Sequence, residues 1–320
     1  MKRLSLLVAA TLAASVTTLA GVRSASAMEW FVERTGVNAV SFAGDYILTN
    51  VHPTTATATY GTSDYVVQVW SATANAGNGA YINATPAMAG RSINVDKNLV
   101  PFVINAKGQV YTLTSGVWTR IGVDTCGGGT TFMARATTSD FKFYVASGPQ
   151  VPGPGLTNTW AVNAGAGNSA LYRYNSGAGC WGRVDGVLAS QIAVTNDGLP
   201  VALTTSNVLY YYSQNAWHQY IPETTPFAPL SIQGNAAMVP PTTSPPRPGP
   251  FVYGYNPGPH WDWVSDGSDE SEVWPLTPSA VVSNFHIPSR DPNLDFRYES
   301  QQYLVYDYAE QTVYTKLIAD

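Results

Sequence analysis

Two groups of residues in this chain combine side-chain types that suit a binding site. The first is the run His260-Trp261-Asp262-Trp263, which places a carboxylate among aromatic rings. A flat ring can pack on the apolar face of a sugar, and a carboxylate accepts hydrogen bonds from hydroxyl groups. Alternation along a strand would put Trp261 and Trp263 on one face, so packing between sheets is an open alternative for both indoles.

The second group consists of polar residues in one turn of two repeated segments, namely Asp96, Asn98, Asn196 and Asp197. Polar loops repeated along one edge of a protein can present several shallow ligand sites. The same residue types also stabilise tight turns without any ligand. Both interpretations stay open at this stage.

Catalytic and metal-binding patterns are not found in the sequence. It contains no HExxH, GxSxG or Walker pattern, and its 4 histidines are widely separated. The acidic run 266–272 offers oxygen ligands, but it lacks the spacing of an EF-hand, so we expect a solvated loop. We therefore predict no catalytic residue, no bound metal and no cofactor.

The first 27 residues have the features of a secretory signal peptide. Lys2 and Arg3 precede an apolar run over residues 4–22, and Ala25-Ser26-Ala27 forms a cleavage site. We predict cleavage after Ala27 and secretion of a single domain over residues 28–320. A membrane anchor is the weaker alternative because small and polar residues dilute the run, and no later stretch is apolar enough to span a bilayer.

The charge of the predicted mature chain argues against two classes of partner. Cleavage removes Lys2, Arg3 and Arg23 from 16 basic residues, which leaves 13 against 21 acidic residues and a net charge of −8. Such a surface repels a phosphate backbone, so no nucleic-acid partner is expected. The sequence also lacks a polybasic patch for anionic membranes.

An internal repeat indicates how these residues are positioned. Residues 92–118 and 191–217 align without a gap at an offset of 99 residues. Each copy has four short apolar segments with period-two alternation, separated by turns rich in Asn, Asp and Gly. Few charges (12%) and many aromatic residues (12%) also favour strands over helices. Matching positions are Ile93 and Ile192, Val95 and Val194, Pro101 and Pro200, Tyr111 and Tyr210, and Trp118 and Trp217.

Four antiparallel strands joined by tight turns make a β-propeller blade, and an offset of 99 residues leaves room for one further blade between the two copies. We predict an all-β propeller of six four-stranded blades. Beside the aligned copies (blades two and four), the predicted strands are 39–42, 46–50, 65–70 and 80–83 in blade one; 132–135, 141–145, 170–174 and 181–184 in blade three; 230–232, 236–239, 251–255 and 261–264 in blade five; and 281–284, 294–298, 303–308 and 313–317 in blade six.

The ends of the ring and two long loops complete this scheme. A ring closes best when a strand from one terminus pairs with the sheet at the other, because pairing removes exposed edges. We predict that residues 30–33 lie beside Val313–Leu317. Blade three carries a Pro/Gly insertion at residues 148–155 after its second strand, and blade five a proline-rich loop at 240–250.

The repeat resembles the tectonin family. Trp181-Gly182-Arg183-Val184-Asp185-Gly186 matches WxxVxG, and Ile192 to Tyr210 follows the family's IxV, DG-turn and LY pattern. The resemblance is clearest over residues 91–220. It implies a propeller that binds carbohydrate or lipopolysaccharide, as tachylectin-1-like and fish-egg lectins do.

Two further predictions concern structural residues. The recurring Trp118, Trp181 and Trp217 are expected to fill the gaps between adjacent blades. Export would permit a disulfide between Cys126 and Cys180. In the predicted scheme, however, Cys126 precedes an inner strand and Cys180 opens the outer strand of the same blade, so the pairing stays open.

The leading functional hypothesis is a secreted, non-enzymatic, lectin-like propeller that binds a glycan or cell-surface saccharide weakly at several blades. One alternative is a scaffold that binds another protein through the loops at 148–155 and 240–250. The other is a propeller glycoside hydrolase. Six-bladed sialidases need an arginine cluster with a Tyr/Glu pair, and the scarce arginines here suggest no such set.

Overall fold

The computed structural model describes residues 31–34, 41–43, 46–49, 51–71, 73–77, 80–96, 98, 100–136, 143–149, 156–195, 197–221, 231–233, 236–239, 251–256, 260–263, 282–285, 301–307 and 312–318. Their regular structure is β-strand apart from one 3-10 turn, Asn75–Gly77. None of these residues belongs to a helix long and apolar enough to cross a membrane. The predicted signal peptide, the proline-rich loop and the acidic run lie outside the described residues.

The described strands form six antiparallel sheets, and five of them contain four strands. The first sheet in the chain comprises β2 (Ser41–Ala43), β3 (Tyr46–Leu48), β4 (Tyr65–Ser71) and β5 (Ala80–Asn83), and the short β6 (Ala89–Gly90) pairs with β4. The second sheet comprises β7 (Ser92–Val95), β8 (Pro101–Ile104), β9 (Val110–Thr114) and β10 (Val117–Arg120).

Three further sheets follow the same order of strands along the chain. The third sheet comprises β11 (Val145–Ser147), β12 (Leu156–Val162), β13 (Ser169–Asn175) and β14 (Cys180–Ala189). The fourth comprises β15 (Gln191–Val194), β16 (Pro200–Leu203), β17 (Leu209–Ser213) and β18 (Ala216–Gln219). The fifth comprises β19 (Ser231–Gln233), β20 (Ala236–Val239), β21 (Phe251–Asn256) and β22 (His260–Trp263).

The sixth sheet joins the two ends of the chain. Its order is β1 (Phe31–Arg34), β25 (Thr312–Ile318), β24 (Gln301–Asp307) and β23 (Val282–Phe285). Val32 lies opposite Tyr314 in an antiparallel register. The N-terminal strand is therefore the fourth strand of the last blade, which confirms the predicted closure and covers the edge that β25 would otherwise expose.

The first strand of each sheet faces the interior of the molecule. The first strands of successive sheets lie against one another, from β2 through β7, β11, β15 and β19 to β23. Every residue of β7 and of β15 is buried, whereas the fourth strands β10 and β18 are largely open to solvent. Sheets that pack side by side around their first strands make the protein a β-propeller, as the repeat predicted.

The strand assignment within the third blade was wrong in its first half. Residues 132–135 were predicted as the first strand, but they form only an isolated bridge between Ala134 and Asn163. The first two strands are β11 and β12, so the insertion at 148–155 follows the first strand rather than the second. The error arose because Phe132 and Ala134 are buried on either side of exposed Met133, which mimics strand alternation.

The sixth blade also differs from the prediction in the order of its strands. β24 and β25 are its second and third strands, where they were predicted as third and fourth. The fourth position belongs to β1, which the prediction treated as an addition to a complete blade. Residues 294–298, predicted as the second strand, lie outside the described residues.

The repeated tryptophans pack against the chain segment that leaves the preceding blade. Nε1 of Trp118 donates to the carbonyl of Pro86 at 2.9 Å. Nε1 of Trp181 donates to the carbonyls of Ile121 and Gly122, both at 3.2 Å. Trp181 is fully buried and stacks on Phe132 with 4.6 Å between ring centroids. Each indole therefore ties an outer strand to the link before it.

At two of the links, a glycine lies directly against the tryptophan ring of the next outer strand. Gly122 has a φ of +57°, and a Cβ at this position would overlap Nε1 and Cδ1 of Trp181. Gly186 has a φ of +110°, and its Cβ would lie 3.3 Å from Cδ1 of Trp217. The glycine that ends WxxVxG is thus explained by left-handed backbone and by close approach to the next tryptophan.

The structure joins Cys126 and Cys180 in a disulfide with 5.1 Å between their Cα atoms. The link before the third blade runs along the edge of β14. There the N–H of Cys126 donates to the carbonyl of Trp181, and the N–H of Trp181 donates to the carbonyl of Asp124, both at 2.9 Å. The two cysteines are neighbours on the outer edge because the link adds to that edge, which removes the objection raised from the sequence.

Replacement of Gly122 by Ala should destabilise the protein by about 2–4 kcal/mol, because a Cβ meets the Trp181 indole and the left-handed backbone disfavours alanine. Gly116 is the matched control: its φ is +76° and nothing lies within 4 Å of its Cβ position. Gly116→Ala should cost only the backbone term of about 1–2 kcal/mol. Equal shifts of the two denaturation midpoints would show that the indole contact contributes nothing.

Reduction of the Cys126–Cys180 disulfide should lower the free energy of unfolding by about 2–4 kcal/mol, because the bond closes a loop of 54 residues in the unfolded chain. The measurement is urea denaturation with and without reductant. The double variant Cys126→Ser/Cys180→Ser should match the reduced protein and should not respond to reductant. A reductant effect that persists in the double variant would contradict the assignment.

Candidate functional site

A cavity of about 370 Å³ opens between the third and fourth blades. It lies at the end of the molecule where turns connect first to second strands and third to fourth strands; we call this end the turn rim. Its lining combines one arginine, one acid, two aromatic side chains and several amides. The lining residues are Pro149, Asn158, Trp160, Arg173, Asp197, Gly198, Leu199, Pro200, Tyr212, Ser213, Gln214 and Asn215.

Asn158 in β12 connects the two blades beneath the cavity. Its Nδ2 donates to the carbonyls of Pro149 at 2.9 Å and Gly198 at 2.7 Å, and its Oδ1 accepts from Nε1 of Trp160 at 2.9 Å. The side chain is buried, and all three contacts are satisfied within the protein. Asn158 therefore positions the first turn of blade four against blade three and is a positioning residue.

Arg173 in β13 forms one wall of the cavity. Its Nε donates to the carbonyl of Thr157 at 2.8 Å, and its guanidinium lies over the Trp160 ring at 5.5 Å from the centroid. Burial lowers the pKa of Arg173 below its ordinary value, and the neighbouring Tyr212 offsets part of this effect. The side chain is thus held from two sides while it remains half-buried.

Tyr212 and the tight turn after it form the opposite wall. The Tyr212 ring packs 5.1 Å from Trp160 and 5.1 Å from Trp217, measured between centroids. Gln214 and Asn215 then turn the chain with φ values of +50° and +61°. This left-handed pair matches the twist of a two-residue hairpin and leaves both residues exposed on the turn rim.

Trp217 differs from the other two repeated tryptophans. Its Nε1 is buried and has no hydrogen-bond partner among the described residues. It packs on Trp160 at 5.7 Å between centroids. The preceding strand β14 contains a register shift, because Ala170 lies opposite Leu188 while Leu171 lies opposite Val184. At the interface between blades three and four, the repeated tryptophan is held by aromatic packing. At the two earlier interfaces, the indole N–H donates a hydrogen bond to the link.

The structure separates the four turn residues suggested by the sequence. Asp197 lines the cavity, and the hydroxyl of Thr195 donates to its Oδ1. Asn196 lies outside the described residues. Asp96 and Asn98 occupy the equivalent turn of blade two, where Oδ1 of Asp96 accepts from the N–H of Asn98 at 2.8 Å and of Val100 at 2.9 Å. These hydrogen bonds stabilise the turn, and a ligand-binding role for Asp96 and Asn98 stays a prediction.

The His260-Trp261-Asp262-Trp263 run forms the fourth strand of the fifth blade. Trp261 lies opposite Tyr255 and Trp263 opposite Tyr253 in the register. The run is therefore in a different blade from the cavity, and the structure does not bring it together with Asp197.

Sequence reasoning missed the residues that build the cavity walls. Asn158 and Trp160 lie between the predicted second and third strands of blade three, where no strand was predicted, and Arg173 and Tyr212 were treated only as strand residues. Residues 158–162 are all buried, and the apolar run Trp160-Ala161-Val162 was the available signal for β12.

Similarity to known proteins is found among solved structures. No protein-family model and no curated protein matches the chain. Solved structures that resemble it include a protein from Lactobacillus plantarum, with 13% identity over 91% of this chain and 85% of that one and a TM-score of 0.38. YCF48 from Cyanidioschyzon merolae has 12% identity over 91% and 88%, with a TM-score of 0.41. BamB from Moraxella catarrhalis has 10% identity over 91% and 98%, with a TM-score of 0.36.

Asn158→Ala should destabilise the protein by about 2–4 kcal/mol, because three buried polar partners lose their hydrogen bonds at once. Asn168 is the control, since it also joins blades three and four: its Oδ1 accepts from the N–H of Thr205 at 2.8 Å on the exposed opposite end. Asn168→Ala should cost about 1 kcal/mol or less. Thermal denaturation of both variants tests this order, and a reversed order would contradict the positioning role of Asn158.

Proposed function

We propose that the protein is a secreted, non-enzymatic carbohydrate-binding propeller whose ligand occupies the cavity between blades three and four. The observation that carries the proposal is the lining of this cavity. An aromatic ring, a guanidinium and neutral amides meet in one concave site, and sugars are bound by this combination of ring packing and hydrogen bonds to hydroxyl groups.

The size and chemistry of the cavity fit a small ligand. Its volume of about 370 Å³ lies within the range of roughly 300–1,000 Å³ typical of small-molecule sites. Gln214, Asn215 and the Tyr212 hydroxyl supply both donors and acceptors, as a ring of hydroxyl groups requires. Asp197 adds a carboxylate acceptor at the rim.

The lining also favours binding over hydrolysis. Glycoside hydrolases commonly use two carboxylates on opposite sides of the scissile bond. Asp197 is the one acidic residue among the described residues that line the cavity. A single acid, already accepting a hydrogen bond from Thr195, does not supply the required pair, so we assign the cavity to binding.

The proposal places one site between these two blades rather than a site on every blade. At the matching positions of blade two, Leu113 replaces Tyr212, and Ser115-Gly116 replaces Gln214-Asn215. The aligned repeat therefore preserves the sheet but not the polar and aromatic lining.

The tectonin resemblance is part of the same proposal, since it concerns a family of carbohydrate-binding propellers. Export through the signal peptide 1–27 is also part of this proposal. The alternative of a protein scaffold depends mainly on residues 150–155 and 240–250, which lie outside the described residues.

Tyr212→Phe should weaken glycan binding about 5- to 20-fold, because the ring stays packed while one hydroxyl hydrogen bond to the sugar is lost. The measurement is a glycan array followed by calorimetry with the strongest ligand. Tyr211→Phe is the matched control: Tyr211 is adjacent in β17, points to the other face and stacks on His218 at 5.3 Å between centroids.

Three outcomes are informative. Weaker binding by Tyr212→Phe alone supports the cavity. Equal effects of the two variants would move the site elsewhere. A folded protein that binds no glycan on the array would overturn the proposed function itself.

A further inference from the structure

We propose that the sugar bound in this cavity carries a carboxylate, and that the guanidinium of Arg173 is its partner. The inference rests on the proposed function, because it specifies the ligand of the same cavity. A sugar acid combines hydroxyl groups for the amides and Tyr212 with an anion for the arginine.

The first observation is that Arg173 is fixed but not neutralised. Its Nε–H is bonded to the carbonyl of Thr157, and Trp160 supports the guanidinium plane. An arginine has five N–H groups, so the four terminal ones remain. Within the described part of the chain, none of the four donates to an acceptor, and no carboxylate forms an ion pair with Arg173.

The second observation is that three other arginines of the described chain have partners of a kind that Arg173 lacks. Arg183 pairs with Asp185, with 2.8 Å between Nε and Oδ1. Arg91 approaches the buried Asp64 at 3.9 Å. Arg135 donates from one terminal nitrogen to the carbonyl of Gly167. Arg173, in contrast, lines the cavity, and its terminal nitrogens have no such partner among the described residues.

The third observation concerns the acid in the same cavity. Asp197 is exposed on the turn rim, and its Oδ1 accepts from the Thr195 hydroxyl, whose oxygen accepts from the N–H of Leu199 at 2.9 Å. The Asp197 carboxylate is therefore part of the turn of blade four. A half-buried guanidinium without a protein carboxylate is the donor set that recognises an anionic group in two-pronged geometry.

The experiment compares ligands that differ only in charge. Calorimetry would use tri-galacturonate and 3′-sialyllactose, each against its own methyl ester. A charge-assisted pair predicts about 10- to 100-fold tighter binding of at least one acid than of its neutral counterpart. The two ligand pairs distinguish a uronic acid from a sialic acid. Equal affinities within both pairs on the unmodified protein would overturn the inference, and this comparison does not depend on any variant.

Two variants with the same change in net charge assign the effect to one residue. Arg173→Gln should abolish the preference for the acid, so that the acid and its ester bind the variant with similar affinity. Arg183→Gln, at an exposed ion pair away from the cavity, should keep the preference. If Arg173→Gln weakens acid and ester alike, the carboxylate assignment fails while the proposed function stands. If neither acid nor neutral ligand binds the folded protein, the proposed function fails as well.

Discussion

The contact between each outer-strand tryptophan and the link from the preceding blade sets the geometry of this propeller. Trp118 and Trp181 donate their indole N–H to link carbonyls, and both rings pack within clusters of buried hydrophobic residues. Both rings are nearly or fully buried, so the contact combines burial of a large apolar surface with satisfaction of a polar atom. This packing explains Gly122, where a Cβ would overlap the Trp181 indole, since only a backbone without Cβ can approach the ring so closely.

The interface between blades three and four satisfies the same packing requirement differently, and the cavity lies there. The Trp217 ring packs on Trp160 and Tyr212, while its N–H lacks a partner among the described residues. Asn158 supplies the polar connection between the blades, at the turn rim. The cavity is bounded by this asparagine and by two aromatic residues. The cavity therefore lies where the repeated tryptophan contact is altered. Functional sites are expected at such irregular positions of a repeat.

The sequence predicted the features that depend on repetition. Strands β7 to β10 and β15 to β18 followed from the aligned copies, and the closure by β1 followed from an unpaired strand pattern at the N-terminus. It did not predict the first half of blade three, because an alternating segment at 132–135 imitates a strand without pairing as one. The cavity was missed for a different reason. Its walls come from β12, β13 and β17, which are distant in sequence, and none of Asn158, Arg173 and Tyr212 belongs to a recognisable motif. Only Asp197 was anticipated, through turn chemistry rather than through its neighbours.

The account centres on a ligand bound between blades three and four, and backbone hydrogen exchange tests that placement most directly. Exchange would be followed by mass spectrometry with and without the strongest-binding glycan. The account predicts slower exchange in peptides that contain residues 197–200 and 213–216, with no change in the equivalent turns of blade two at 96–101 and 114–117. Protection of the blade-two turns to the same extent, or protection confined to the opposite end of the propeller, would contradict it.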